Sequence, residues 1–150
     1  MIETRRLHLV PWPAGAADLV HVGLLLGARI PTGWRPDVLD LPPSSNPRFG
    51  AYAMLDAMET LLLGSAGFTG PPGDDGAVEL GYEVAPPYRG RGYASEAAGA
   101  LVRWALAQPE VSRVIAATDA DNPASIRVLE RVGFRRAGTR GEQLLWALSG

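Results

Sequence analysis

No cysteine occurs among these 150 residues. That excludes a disulfide framework, a cysteine-ligated zinc site and a cysteine acyl-enzyme. Histidine is nearly as scarce: His8 and His21 are the only two, too few and too poorly spaced for a metal site. Neither sign of charge dominates. A net charge of −2 with no basic run leaves no electrostatic footprint for nucleic acid. Leu24–Leu26 is far short of a membrane span, no signal peptide is read at the start, and a cytoplasmic protein is expected. A Gly-Lys-Ser/Thr phosphate loop is missing as well.

What is present is ordinary for a globular domain: 47% hydrophobic and 20% charged residues, in a length that predicts one domain over residues 1–150. Leu7 and Leu9 alternate with Arg6, His8 and Val10, which predicts a half-buried first strand ended by Pro11 and Pro13. Ala14–Leu26 has helical spacing in Ala17, Val20 and Leu24, with His21 a possible fourth member. Residues 30–47 are rich in Pro, Gly and Ser and predict loop, with one helical turn over Pro36–Leu39. Phe49–Leu55 and Thr60–Phe68 predict a hairpin. The strong turn signal of Gly70–Gly76 carries acids that read as solvated loop rather than metal ligands. A strand over Ala77–Val84 follows.

The helix predicted from Gly92 to Ala107 is amphipathic, with Ala94, Ala97, Ala98, Leu101, Val102 and Ala105 on one face, and Gln108-Pro109 stops it. Val114–Thr118 reads as a buried strand. Asn122 is expected as N-cap with Pro123 at the first helical position. Ile126 and Leu129, with Val128 or Val132, form the buried stripe, and Gly133 the C-cap. Phe134–Gly138 and Gln143–Leu148 predict a closing hairpin. Antiparallel strands feeding helices indicate an α+β or mixed α/β sandwich.

The chemistry centres on Arg89-Gly90-Arg91-Gly92-Tyr93-Ala94. Small residues here let main-chain N–H groups approach a ligand where a helix begins, and a helix N-terminus suits a pyrophosphate. Arg89 and Arg91 can add charge-assisted contacts. A dinucleotide fingerprint does not fit, because Ser95 stands where its third glycine belongs. Strand alternation puts Glu79, Gly81 and Glu83 on one face, with Val78, Leu80, Tyr82 and Val84 on the other; a bulge at Gly81 would change this.

Arg89–Ala94 resembles the (Gln/Arg)-x-x-Gly-x-(Gly/Ala) acyl-CoA loop of the GNAT superfamily of N-acyltransferases. Leu80–Pro86 is similar to that family's fourth strand. Asn122–Ser125 and Gly133-Phe134 resemble its next helix and strand, and Glu3–Leu7 resembles the opening of its ribosomal-protein acetyltransferase branch. The resemblance implies a mostly antiparallel, splayed sheet of about six or seven strands flanked by helices. It implies acetyl-CoA as acyl donor and direct transfer of the acetyl group to a primary amine, either a protein N-terminus or a small molecule. Arg89, Gly90, Arg91, Gly92, Tyr93 and Ala94 would then hold the pyrophosphate, and Val84 and Asn122 the pantetheine arm.

The shared strand face makes Glu79 and Glu83 the candidate bases, with Glu79 slightly favoured, unless both simply face solvent; by the same resemblance Ser125 would be the acid. Tyr82 and Tyr88 are fallback acids. Many relatives carry a tyrosine acid where this chain has Leu129, so a non-catalytic acyl-CoA-binding module is the alternative. Glu96 is expected to point away from a bound phosphate. Trp34 and Asp37 either face the acceptor groove or serve as packing and surface. Monomer and homodimer both remain open.

Overall fold

The computed structural model describes all 150 residues. A two-residue strand, β1 (Ile2–Glu3), opens the chain and pairs with β2 (Leu7–Pro11). Next come α1 (Leu19–Leu26), β3 (Ala51–Asp56), β4 (Leu62–Phe68) and β5 (Ala77–Val84). The chain closes with α2 (Tyr93–Leu106), β6 (Arg113–Asp119), α3 (Pro123–Val132), β7 (Arg135–Arg140) and β8 (Gln143–Ser149). All eight strands join one sheet in the order β1-β2-β3-β4-β5-β6-β8-β7. This is one strand more than expected, because β1 is too short to leave a periodicity. Only β5 and β6 run parallel.

That parallel pair is where the sheet opens. β5 and β6 share three register positions, from Ala77↔Arg113 to Glu79↔Ile115, and then part. Beyond that point β5 stays paired to β4 through Val84↔Gly64, while β6 stays paired to β8 through Asp119↔Gln143. Each strand therefore keeps one neighbour and loses the other, and the result is a V-shaped gap. The register between β4 and β5 runs unbroken through Gly67↔Gly81, so no bulge occurs at Gly81 and the predicted alternation of β5 holds. The irregularity lies instead between β3 and β4, where Leu63 is the extra residue.

The two sheet faces bury separate clusters. On one face Leu7, Leu9, Met54, Leu63, Val78 and Leu80 pack with Ala97, Leu101 and Leu129 from the two long helices. On the other, Ala53, Leu55 and Leu62 pack with Leu19, Val22, Trp34 and Ala85. The α2 stripe follows its predicted spacing, with Ala97, Ala98, Leu101, Val102 and Ala105 buried. In α3 only Leu129 is fully buried.

The first helix corrects the sequence reading. Asp18 caps it by accepting from His21 N–H at 2.9 Å, so it begins later than Ala14. Its buried residues are Leu19, Val22 and Gly23, whereas Val20 and Leu24 are 60% and 77% exposed. Apolar residues surround this helix, so periodicity cannot choose a face. Close packing at Gly23 decides it: a Cβ there would lie 2.6 Å from Ile30 Cγ2. The loop after it holds single 3-10 turns at Asp37–Asp40 and Pro47–Phe49.

Candidate functional site

A cleft of about 650 Å³ opens where β5 and β6 separate, walled by the end of β5, the turn before α2 and the first turns of α3. Its lining includes Glu83, Val84, Arg89, Gly90, Gly92, Tyr93, Ala94, Asn122 and Ser125. The sequence named all of these from segments some forty residues apart. Glu79 and Arg91 are not among them.

The loop–helix junction provides main-chain donors. Gly90 (φ +77°) and Gly92 (φ +83°) both sit in the left-handed region, which glycine adopts without steric cost. Gly92 is the N-cap of α2, with no side chain to cap the helix. Glu96 N–H bonds back to the Gly92 carbonyl at 3.1 Å, but no main-chain N–H from Gly90 through Ser95 has an acceptor in the protein. A run of free donors at a helix start, where the macrodipole is positive, is a fit for a multiply charged phosphate group. The arginines divide. Arg89 lines the cleft, and its Nε donates to the Val84 carbonyl at 2.9 Å. Arg91 leans over the Tyr88 ring, while its carbonyl accepts from Arg6 Nη1 at 3.0 Å.

Glu96 points away from this junction, as expected. Its carboxylate accepts from the Thr4 hydroxyl, from Arg6 N–H at 2.9 Å and from Arg6 Nε at 2.7 Å. Partial burial by itself would raise this carboxyl, but the bonds from Thr4 and Arg6 outweigh it and hold Glu96 below the ordinary glutamate value. The Thr4–Arg6 opening of the chain thus fastens the N-terminal segment to α2 and keeps the negative charge off the junction.

Main-chain groups also face the gap from β5. Ala85 N–H bonds to Leu63 O at 2.9 Å, and Thr69 N–H to Glu79 O at 3.1 Å. In an antiparallel pair these bonds alternate, so the N–H and C=O groups of Tyr82 and Val84 turn away from β4 and into the gap, where the Val84 carbonyl also accepts from Arg89 Nε. An extended amide-bearing chain can pair with them there.

Two side-chain constellations flank the gap. On the helical side, the Tyr82 hydroxyl lies 2.7 Å from Ser125 Oγ and 3.2 Å from the Ser125 carbonyl. Burial pushes the Tyr82 phenol up, and the bond with Ser125 offsets this only in part; it stays protonated at neutral pH. Asn122 holds the turn in place by accepting Ser125 N–H at 3.1 Å. Leu129 is 0% exposed and lies in the core, so that position presents nothing to the cleft.

On the opposite face, Glu83 accepts from Trp34 Nε1 through one oxygen and from Asp37 N–H through the other, each at 3.0 Å. Glu79 shares that face but meets Arg140, whose two terminal nitrogens reach its oxygens at 3.0 and 3.2 Å. The two glutamates are therefore not equivalent: Glu83 borders the cleft, and Glu79 is paired outside it.

Sequence reasoning missed Arg127 and Arg131, which line the same cleft from α3. Their signal was present: two basic residues four apart fall on one helix face, and that helix starts at Asn122. No cluster of side chains able to hold a metal ion occurs, and no helix is long and apolar enough to cross a membrane.

Comparison with known proteins gives the same picture. Residues 37–135 match the family model described as "Acetyltransferase (GNAT) domain". The uncharacterized N-acetyltransferase YjdG of Bacillus subtilis is 40% identical over 73 residues, 49% of this chain and 44% of that protein. The match thus spans less than half of that relative's length. A putative GnaT-family acetyltransferase structure from Bordetella pertussis has 28% identity and a TM-score of 0.64, covering 99% of this chain and 98% of that one. The ribosomal-protein-S5-alanine acetyltransferase of Vibrio fischeri shares the fold at 21% identity and a TM-score of 0.60, over 67% of this chain and 61% of its own.

Proposed function

Because the chain belongs to the GNAT acetyltransferase family, we propose that it transfers an acetyl group from acetyl-CoA to a primary amine by direct attack. The observation that carries this reading is the row of unpartnered N–H groups from Gly90 to Ser95 beside the gap between β5 and β6. When bound, acetyl-CoA supplies the acetyl group activated as a thioester. The Gly90–Ser95 donors and Arg89 would hold its pyrophosphate, and the inward-facing groups of Tyr82 and Val84 its pantetheine arm. The Val84 N–H would polarise the thioester carbonyl.

An amine is largely protonated near neutral pH and needs a base. We assign that role to Glu83, which borders the cleft, in preference to Glu79, whose carboxylate is engaged by Arg140. The ammonium must lose one proton before it can attack, and Glu83 would take it, directly or through a water; the second proton, shed as nitrogen bonds to the carbonyl carbon, would leave to water. Ser125 would give its hydroxyl proton to the departing thiolate, and the Tyr82 hydroxyl, 2.7 Å from Ser125 Oγ, would replace that proton and recover its own from water. The acceptor is a protein N-terminal amine or a small-molecule amine.

One observation favours a second reading, an acyl-CoA-binding module without chemistry: the buried Leu129 stands where many relatives carry an acid. Calorimetric titration with acetyl-CoA, followed by turnover assays over N-terminal peptides and small amines, separates the two. General-base loss in Glu83→Gln should lower kcat by about a hundredfold or more while leaving acetyl-CoA affinity intact. Glu79→Gln should stay within about threefold. Acetyl-CoA binding with no turnover on any amine would favour the binding module, and absence of acetyl-CoA binding would remove both.

A further inference from the structure

Glu83 is held by a segment that the family resemblance did not cover. The loop between α1 and β3 turns at Gly33, whose φ of +69° lies in the left-handed region, and brings Trp34 under the end of β5. Trp34 is 8% exposed. It packs in the smaller core with Leu19 and Val22 of α1, Leu55 and Leu62 of the sheet, and Ala85, two residues beyond Glu83. With its ring fixed by four separate segments, its single polar atom has one direction to point, and it donates to Glu83 Oε1 at 3.0 Å. Three residues on, the main-chain N–H of Asp37 donates to Glu83 Oε2 at 3.0 Å. Pro36, extended at φ −71° and ψ 147°, precedes this donor, and the 3-10 turn from Asp37 to Asp40 follows it.

We propose that Trp34 and the Asp37 main-chain N–H are positioning groups that clamp the Glu83 carboxylate at the mouth of the cleft. This rests on the assignment of Glu83 as base. Each carboxylate oxygen can accept twice, so one acceptor site per oxygen is left for the incoming amine or for a water between them. A free glutamate side chain samples several rotamers. Two donors on two oxygens select one of these, with the ring of Trp34 setting its direction. Small misplacement of a catalytic group costs far more in rate than in binding, so the clamp acts on kcat and leaves the acyl donor site alone. It also makes the loop at residues 33–40 part of the catalytic apparatus, although none of its side chains need touch the acetyl group.

The test uses the full chain with acetyl-CoA and whichever amine it turns over. Trp34→Phe keeps an aromatic ring in the core and deletes the side-chain donor. Asp37→Pro deletes the main-chain donor at a helix-start position that suits proline, and Asp37→Ala serves as its control with the N–H retained. We expect kcat to fall about tenfold in Trp34→Phe relative to wild type, and about tenfold in Asp37→Pro relative to Asp37→Ala, which shares the loss of the carboxylate. Acetyl-CoA affinity by calorimetry should stay within twofold throughout. In a Glu83→Gln background, whose weaker carbonyl acceptor no longer acts as base, Trp34→Phe should cause little further loss, because groups acting as a unit are non-additive.

Undiminished kcat in both donor deletions would overturn the clamp, and so would an equal loss in the presence and absence of the Glu83 carboxylate. Should Trp34→Phe prove unfolded by thermal melting, the Asp37→Pro and Asp37→Ala pair decides alone. A wild-type protein that binds acetyl-CoA but turns over no amine would sink the transferase reading and this inference with it. Wild-type turnover with unaffected variants would sink the clamp only.

Discussion

Gly92→Ala separates the anion-binding role proposed for the α2 N-terminus from its role in stability. The residue sits at φ +83° as the N-cap of α2. An alanine held there bears a left-handed strain of roughly 1–2 kcal/mol. Steric conflict adds little, since the nearest atom to the new Cβ is Arg6 Nη2 at 3.4 Å, the end of a long side chain. For a chain of this size the strain corresponds to a fall in Tm of about 2–8 °C. The strain is relieved if the turn rewinds toward negative φ, and that rotation moves the free N–H groups of Tyr93, Ala94 and Ser95 off their common target.

Acetyl-CoA affinity should therefore fall by about tenfold or more, a factor worth about 1.4 kcal/mol. Gly27→Ala is the matched control. Gly27 caps α1 at φ +66° with nothing within 4 Å of a new Cβ, and it lies outside the cleft. It should lose comparable stability and no affinity. Calorimetry and thermal melts on both variants complete the comparison. If Gly92→Ala melted like Gly27→Ala and bound acetyl-CoA within twofold of wild type, the cradle would not be at this turn.

Two further predictions concern how the site is held. Leu129→Ala, at a fully buried position of α3, should cost about 3–5 kcal/mol in urea unfolding; a cost under about 1 kcal/mol would mean that α3 is not anchored there. Glu96→Gln tests the tie between the N-terminal segment and α2. Because the folded carboxyl is held below its ordinary value of 4.5, its contribution is fully present above that pH and is lost as pH falls through the folded value. The wild type should accordingly be the more stable protein at pH 7, with the advantage shrinking as urea melts are repeated toward pH 3. A gap of constant size across that range would contradict the role assigned to Thr4 and Arg6.

Much of this protein was legible in order along the chain. β5 occupies the predicted Ala77–Val84, and α2 starts within one residue of its expected position because Gly92 is a start signal with a mechanism. Asn122, Pro123 and Gly133 bound α3 as capping rules require. These features are local: each depends on a few neighbouring residues and on backbone geometry, which composition expresses directly. The buried face of α1 was not legible. Its apolar residues point all around, and a close contact at Gly23 with Ile30 settled the matter.

The same division runs through the site. From sequence alone follow the family resemblance, the Arg89–Ala94 loop proposed to bind phosphate, the alternation of Glu79 and Glu83 on one strand face, and Ser125 in the first turn of α3. Only the tertiary structure separates the two glutamates, because Arg140 comes from β7 and Trp34 from the loop after α1. Only it sets Tyr82 against Ser125, forty-three residues apart in the chain, and turns Arg127 and Arg131 toward the same cleft. Residue types and short spacings record what the backbone does locally. The partner of a side chain is decided by whichever distant segment the sheet order and the splay of β5 from β6 bring within 3 Å, and no local pattern in the sequence carries that information.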